Sequence, residues 1–405
     1  MAVKHLIQVL MGKSFTNWMK FTHRWLGFIT GLVIIVNLVP AAIFVFEKEI
    51  SDWYYAKIML VEPKTAAPLP LSALQQKVQQ SLKPEEAITH INIKKEPNRA
   101  YLFGVYQENE EGGLSYFAES KVNKEVCINP YTGEILGARD LRTDWLKICE
   151  ALHRRMLLHY SFEGHWVTAY MTLIIIFSLL TGLVLWYPRS KAAVKQRFTF
   201  KRNASTPRRV YDLHNVGGFY FLIPVLFLSI TGLMWSFNWW ADGMFRILGS
   251  SKQDMEPNYT VWQVDTTTTN SLLPLDKIAL HSISKRDSWI SLVVSLPYAP
   301  ITEKSQYYAF LRFNDGSLWE ESDQYIYNNA GLLKKELRHE DKSRGIKWDD
   351  SNYAFHTGSI YGMPTKLLFF FATLFCISLP ITGFMIWYKR NYGKKKKTKN
   401  RRIKK

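Results

Sequence analysis

Four long runs nearly free of charge constrain this chain more than any other feature: 25–46, 166–187, 213–237 and 363–388. The third carries one polar pair, His214-Asn215, and the fourth a single Lys366 near one end. Crossing a bilayer takes about 20 apolar residues at roughly 1.5 Å of rise apiece. Backbone in hydrocarbon must also satisfy its own N–H and C=O groups, so the runs are expected as four transmembrane helices. The net charge of +18 is distributed to match. Residues 1–24 hold 4 Lys/Arg, 188–212 hold 8 and 389–405 hold 11, against the one acid Asp212. That is the positive-inside pattern. It predicts a cytoplasmic N-terminus (1–24), basic loop (188–212) and tail (389–405), with 47–165 and 238–362 outside. The run Lys394–Lys397 suits anionic lipid. Basic charge confined to membrane-flanking segments argues for the lipid bilayer as partner and against nucleic acid. The amphipathic start 4–20 lacks the early apolar core of a cleavable signal, so the first span is expected to remain as an anchor.

The chain reads as a duplicated unit of span, outer segment, span. His23-Arg24-Trp25-Leu26-Gly27-Phe28 and His214-Asn215-Val216-Gly217-Gly218-Phe219 place the same H-x-x-x-G-F frame at the start of spans one and three. Thr181-Gly182, Thr231-Gly232 and Thr382-Gly383 fall late in spans two, three and four, and Trp186-Tyr187 and Trp387-Tyr388 close the even spans. Small Thr-Gly pairs let helices approach closely, and terminal Trp/Tyr suits an interfacial belt. Span one departs from this with Val39-Pro40-Ala41, which predicts a kink. Each outer segment reads as a small α+β fold. In the first, a helix over 71–82 precedes strands near 88–93, 100–106 and 126–128 and an Asn129-Pro130-Tyr131-Thr132-Gly133 turn. In the second, a helix over 275–284 precedes strands at 289–296 and 307–313 and a strand-turn-strand over 325–332.

Ionisable residues at membrane depth are costly and usually face a partner, so the histidines are the candidate functional groups. They fall into two layers. His23 and His214 lie at the cytoplasmic mouths of spans one and three, and His153, His159, His165 and His356 lie just before spans two and four on the outer side. Singly, His23 also reads as a lipid-phosphate contact and His214 as a polar helix start. The shared frame instead favours a common ligand, because paired neutral imidazoles hold haem iron and a glycine one turn away gives a flat macrocycle clearance. Outside, His356 pairs with His153 or with His159. Spacing to the Thr-Gly pairs favours His153, provided Gly164 breaks the helix ahead of span two. His165 reads as interfacial, and His5, His90, His281 and His339 as surface residues. Arg24, Arg154 and Arg155 adjoin candidate ligands and suit either haem propionates or lipid headgroups.

No Cys-x-x-Cys-His motif for covalent haem and no His-Glu-x-x-His metal motif occurs. Cys127 and Cys149 fall outside, either paired or as two separate thiols, and Cys376 lies within span four. No G-x-G-x-x-G follows a strand, and no cytoplasmic stretch is long enough for a flavin domain. Electrons for a pair of haems would therefore come from membrane quinol or from a separate cytoplasmic reductase.

In these residues the chain resembles the PepSY-associated transmembrane proteins. The likeness rests on Leu152-His153-Arg154, Phe355-His356-Thr357-Gly358 with Gly362, the His23-Arg24-Trp25-Leu26-Gly27 start, the Thr-Gly and Trp-Tyr endings, and the Ile128-Asn129-Pro130-x-Thr132-Gly133 turn of PepSY domains. The resemblance implies a bacterial inner-membrane protein of four transmembrane helices, a duplicated two-span unit, with two small α+β PepSY-like extracytoplasmic domains. It further implies a ferric-siderophore reductase carrying b-type haem, here two haems on His23/His214 and on His153 (or His159)/His356, acting on a ferric chelate outside. Reduction of Fe(III) to Fe(II) weakens its bonds to hard oxygen ligands and so frees the iron. The alternative is a membrane-anchored PepSY module that binds a peptide, peptidase or chelate without redox chemistry. A haem spectrum separates the two.

Overall fold

A computed structural model describes residues 12–160, 164–188, 190–250, 259–262, 272–298 and 300–393. His5 and the Lys394–Lys397 run lie outside the described residues. Along the chain, the principal helices are Lys13–Phe44 (α1), Leu71–Ser81 (α2), Trp145–Arg155 (α3), His165–Trp186 (α4), Thr206–Tyr220 (α5), Leu222–Leu233 (α6), Asn238–Ile247 (α7), Pro274–Ile283 (α8), Arg344–Thr357 (α9) and Met363–Tyr392 (α10). The chain divides into two compact units, one of residues 1–39, 170–229 and 368–405, the other of 40–169 and 230–367.

In the first unit α1, α4 and α10 are each long and apolar enough to cross a membrane. The pair α5 and α6 qualifies as a fourth span only if taken together, because it is bent by 60° between Tyr220 and Leu222. The break falls within the third expected span, 213–237. It follows a π-helical turn over Leu213–Gly217 that contains His214, and such turns recur at functional sites. The helix α1 runs through Pro40 to Phe44 as one element. Ile34, Val225, Ala372 and Cys376 bury against Ile175 and Leu179, so all four segments share one core. Leu32, Phe177 and Ile223 instead point outward, 73%, 59% and 77% exposed. A row of exposed large apolar side chains on several helices is a lipid-facing surface, and this is a membrane protein.

The second unit differs from the sequence expectation in one respect: the outer segments do not form two separate sheets. Strands β1 (Ile88–Lys94), β2 (Tyr101–Glu108), β3 (Ser120–Ile128) and β4 (Ile135–Asp140) join β5 (Thr260–Val261), β6 (Trp289–Ser295), β7 (Gln306–Phe313), β8 (Glu321–Asn328) and β9 (Leu333–Leu337) in one nine-stranded sheet, ordered β4-β3-β2-β1-β6-β7-β8-β9-β5 and antiparallel throughout. The seam is β1 against β6, with Ile91 opposite Val294 and Ile93 opposite Leu292. Without the seam β1 and β6 would each be an open edge, a liability that pairing removes. Alternation does the rest: Tyr307, Ala309, Leu311 and Phe313 of β7 turn inward at period two.

Helices α2 and α8 cover the same face. Leu71, Leu74 and Val78 of one and Leu275, Ile278 and Ala279 of the other enter a single cluster with Ile91, Phe103, Leu292 and Leu311. The Asp276 carboxylate accepts the Ser72 N–H at 2.9 Å, so the first turn of α8 caps the first turn of α2. The two expected turns also correspond. Asn129 Oδ1 accepts from the Tyr131 N–H before Gly133 at φ +69°, and Asn328 Oδ1 accepts from the Ala330 and Leu332 N–H groups around Gly331 at φ +77°. All three cysteines are unpaired thiols, Cys127 and Cys376 buried, which answers the disulfide question for Cys127 and Cys149.

Candidate functional site

Each unit contains one pair of facing histidines. In the first, His23 of α1 meets His214 of the π-turn with ring centroids 6.1 Å apart and planes at 80°. In the second, His153 of α3 meets His356 of α9, also at 6.1 Å, with planes at 27°. Two imidazoles that share one metal ion, each bonded at about 2 Å, place their centroids roughly 6 Å apart.

The ring nitrogens are assigned by their partners. His23 Nδ1 lies 3.0 Å from the Ser178 carbonyl and 3.1 Å from Thr181 Oγ1. A carbonyl only accepts, so Nδ1 carries the proton and Nε2 keeps its lone pair. The Thr181 hydroxyl donates back to the Ser178 carbonyl at 2.9 Å, leaving its oxygen to accept from the ring. His214 repeats the arrangement. Its Nδ1 lies 2.9 Å from Thr382 Oγ1, and the Thr382 hydroxyl donates to the Ser378 and Leu379 carbonyls at 2.8 and 3.1 Å, leaving its oxygen to accept from the ring. His356 Nδ1 lies 2.9 Å from Thr231 Oγ1. Orienting one ring nitrogen so that the other can bind metal is the usual outer-shell device of histidine ligands.

Around His23 and His214 the first unit forms an open-mouthed cavity of about 670 Å³, lined also by Gly27, Gly182, Gly218 and Gly383. That lies in the range of cofactor-sized sites, about 300–1,000 Å³. A Cβ at Gly27 would meet nothing within 4 Å, and one at Gly218 only Leu379 at 3.9 Å, which matches the clearance expected from H-x-x-x-G. Lys20, Arg24 and Arg390 reach the lining and no acid does. The site therefore suits a flat, largely apolar group with anionic substituents. The frame's phenylalanines frame it as well: Phe28 packs edge-on against Trp387 at 5.2 Å, and Phe219 stacks on Trp186 at 3.8 Å. Trp186 is buried, and its indole N–H donates to the Arg197 carbonyl. It is a packing residue rather than part of an interfacial belt.

At the second pair the local folding is specific. Asp144 caps α3 by accepting the Leu146 and Lys147 N–H groups, and Ser343 caps α9. Helix α3 stops two residues past His153, where Met156 and Leu157 take positive φ of 56° and 60°. This corrects the expected break at Gly164, which instead stands immediately before α4. One turn before His356, Asn352 donates to the Thr231 carbonyl at 3.1 Å, and Trp235 lies edge-on to His356 at 5.4 Å.

His159 is not brought to His356. It is buried in the loop after α3, where its backbone N–H donates to Leu114 and its ring stacks on Tyr160. His165 packs against Trp166. The guanidinium of Arg154, expected near a propionate, is 64% exposed and paired with Glu150 at 2.9 Å. Burial works to raise the Glu150 carboxyl, but Lys147 and Arg154 outweigh it and hold it below the usual range. Arg155 pairs with Glu119. Three histidines read as surface residues are not simple surface groups. His90 lies over Gly104, His281 hydrogen-bonds the Tyr327 hydroxyl at 2.8 Å, and His339 is buried. Among the described residues no group of three or more His, Cys, Asp or Glu side chains could hold a metal ion.

The role of the Thr-Gly pairs escaped the sequence reading, which took them as helix-packing residues. Their recurrence late in three spans was the available signal. The family model for the PepSY-associated TM region matches residues 21–390. No curated protein matches the chain.

Proposed function

Because this chain belongs to the PepSY-associated TM family, we propose that it is an inner-membrane di-haem b protein that carries electrons across the membrane to reduce ferric chelates such as ferric siderophores. The observation that carries this reading is the pair of facing histidines in each unit, both at a centroid separation of 6.1 Å. His23 and His214 would hold one iron through the Nε2 atoms opposite their Nδ1 contacts, and His153 and His356 would hold the other. Lys20 and Arg24 would take propionates of the first haem. Bound haem supplies one-electron Fe(III)/Fe(II) exchange.

The protein's own part is to hold the rings, exclude water from the cavity and set the ligand field. With both termini and the basic loop cytoplasmic, His23/His214 is the inner site and His153/His356 the outer one. Quinol, or a reductase docking on the basic loop, feeds the first, and the chelate takes electrons near the second. The matched contacts in spans one and three support reading the chain as a duplicated two-span unit crossing four times.

Haem content of the purified chain tests the proposal: two non-covalent b-type haems are expected. A colourless preparation would overturn it and leave the membrane-anchored binding module.

A further inference from the structure

We infer that three Thr-Gly pairs, Thr181-Gly182, Thr231-Gly232 and Thr382-Gly383, are histidine seats that set both how firmly the haem is held and its reduction potential, unlike Thr30-Gly31 of α1, whose hydroxyl bonds Leu26 of its own helix. The inference rests on the haem reading. Three seats occur, each formed by a segment other than the one that carries the ring. Thr181-Gly182 receives His23, Thr382-Gly383 receives His214 and Thr231-Gly232 receives His356. In each, the threonine oxygen lies 2.9–3.1 Å from Nδ1. The glycine admits the ring edge: a Cβ at Gly182, Gly232 or Gly383 would stand 3.2, 3.2 or 3.3 Å from the histidine Cε1. An alanine there would push against the ring that the preceding threonine holds.

Chain connectivity does not explain the repetition, since the paired residues are separated by 158, 168 and 125 positions. Helix packing alone does not explain it either. Packing needs a small residue, but not a hydroxyl at hydrogen-bond distance from the same ring atom each time. An acceptor on Nδ1–H makes the imidazole a stronger donor through Nε2. A stronger donor favours the ferric state and lowers the potential. Thr181, Thr382 and Thr231 are thus positioning residues that act on iron through the histidines.

The test is a potentiometric titration with haem-retention measurements on the full chain in detergent, for Thr382→Val and Thr231→Val against Thr382→Ser and Thr231→Ser. Thr382→Ala stands in where valine disturbs packing, and Thr373→Val, a buried threonine bonded only to Phe369 of its own helix, is the control. The valine variants are expected to weaken haem retention by about 10- to 100-fold and to raise the potential of the affected haem. A tenfold preferential loss of the ferric form reads as about 59 mV for one electron. Serine should restore both, and Thr373→Val should change neither. Two haems at wild-type affinity and potential in the valine or alanine variants would overturn the seat while leaving the haem reading intact. A wild type without haem would overturn the haem reading itself.

Discussion

His153 and His356 stack with their ring planes 27° apart, whereas His23 and His214, at the same 6.1 Å centroid separation, stand 80° apart. Near-parallel axial imidazoles split the iron d orbitals that perpendicular ones leave nearly degenerate. The oxidised protein should therefore give two low-spin ferric signals by electron paramagnetic resonance, the more anisotropic belonging to His23/His214. One signal, or two indistinguishable ones, would contradict the two geometries.

His23→Ala and His214→Ala should each remove the same haem, because either leaves one axial position empty, and the double variant should lose no more than either single one. His153→Ala and His356→Ala should together define the other haem. His159→Ala should keep both, since that ring packs on Tyr160. Optical spectra of the five single variants and the double variant check this, and loss of different haems in His23→Ala and His214→Ala would break the pairing.

Asp276→Ala should destabilise the sheet domain by about 1–3 kcal/mol, the usual cost of stranding a buried donor. The carboxylate is buried and accepts the first-turn N–H of α2, so its loss frees both helix starts from each other. Denaturant unfolding followed by tryptophan fluorescence measures the change, and haem content should not move.

Burial, assisted by Lys285, pushes the His281 imidazole down to about 4 from its ordinary value of 6.5. The unfolded chain therefore binds the proton more readily than the folded one between pH 6.5 and 4. Stability rises with pH across that window and is fully present above it. The thermal unfolding midpoint of the wild type should drop as pH falls from 6.5 to 4, and His281→Gln should flatten that slope. An unchanged slope would mean that other groups carry the acid sensitivity.

Much of this was legible in local sequence. Hydropathy marked the helices because each lipid-exposed run must satisfy its own backbone, and period-two alternation marked β7 because one face of it is buried. The Asn129–Gly133 turn was readable for the same reason: its Asx contact and positive-φ glycine lie within five residues. The H-x-x-x-G-F frame likewise nominated His23 and His214 from spacing alone.

What only the tertiary structure decided are the contacts between residues far apart in the chain. Sequence order is silent on whether β1 ends as an edge or pairs with β6, because edge pairing is settled by which backbone groups are left unsatisfied once each half has folded. Spacing favoured His153 over His159 without deciding it, and the choice is made where α3 terminates at Met156 and turns one ring toward α9 while the other is buried in the loop. The seats of the histidines belong here too. A threonine hydroxyl and a glycine gap are generic packing features until a ring 125 to 168 residues away is brought against them, and that approach is fixed by helix packing rather than by any local pattern.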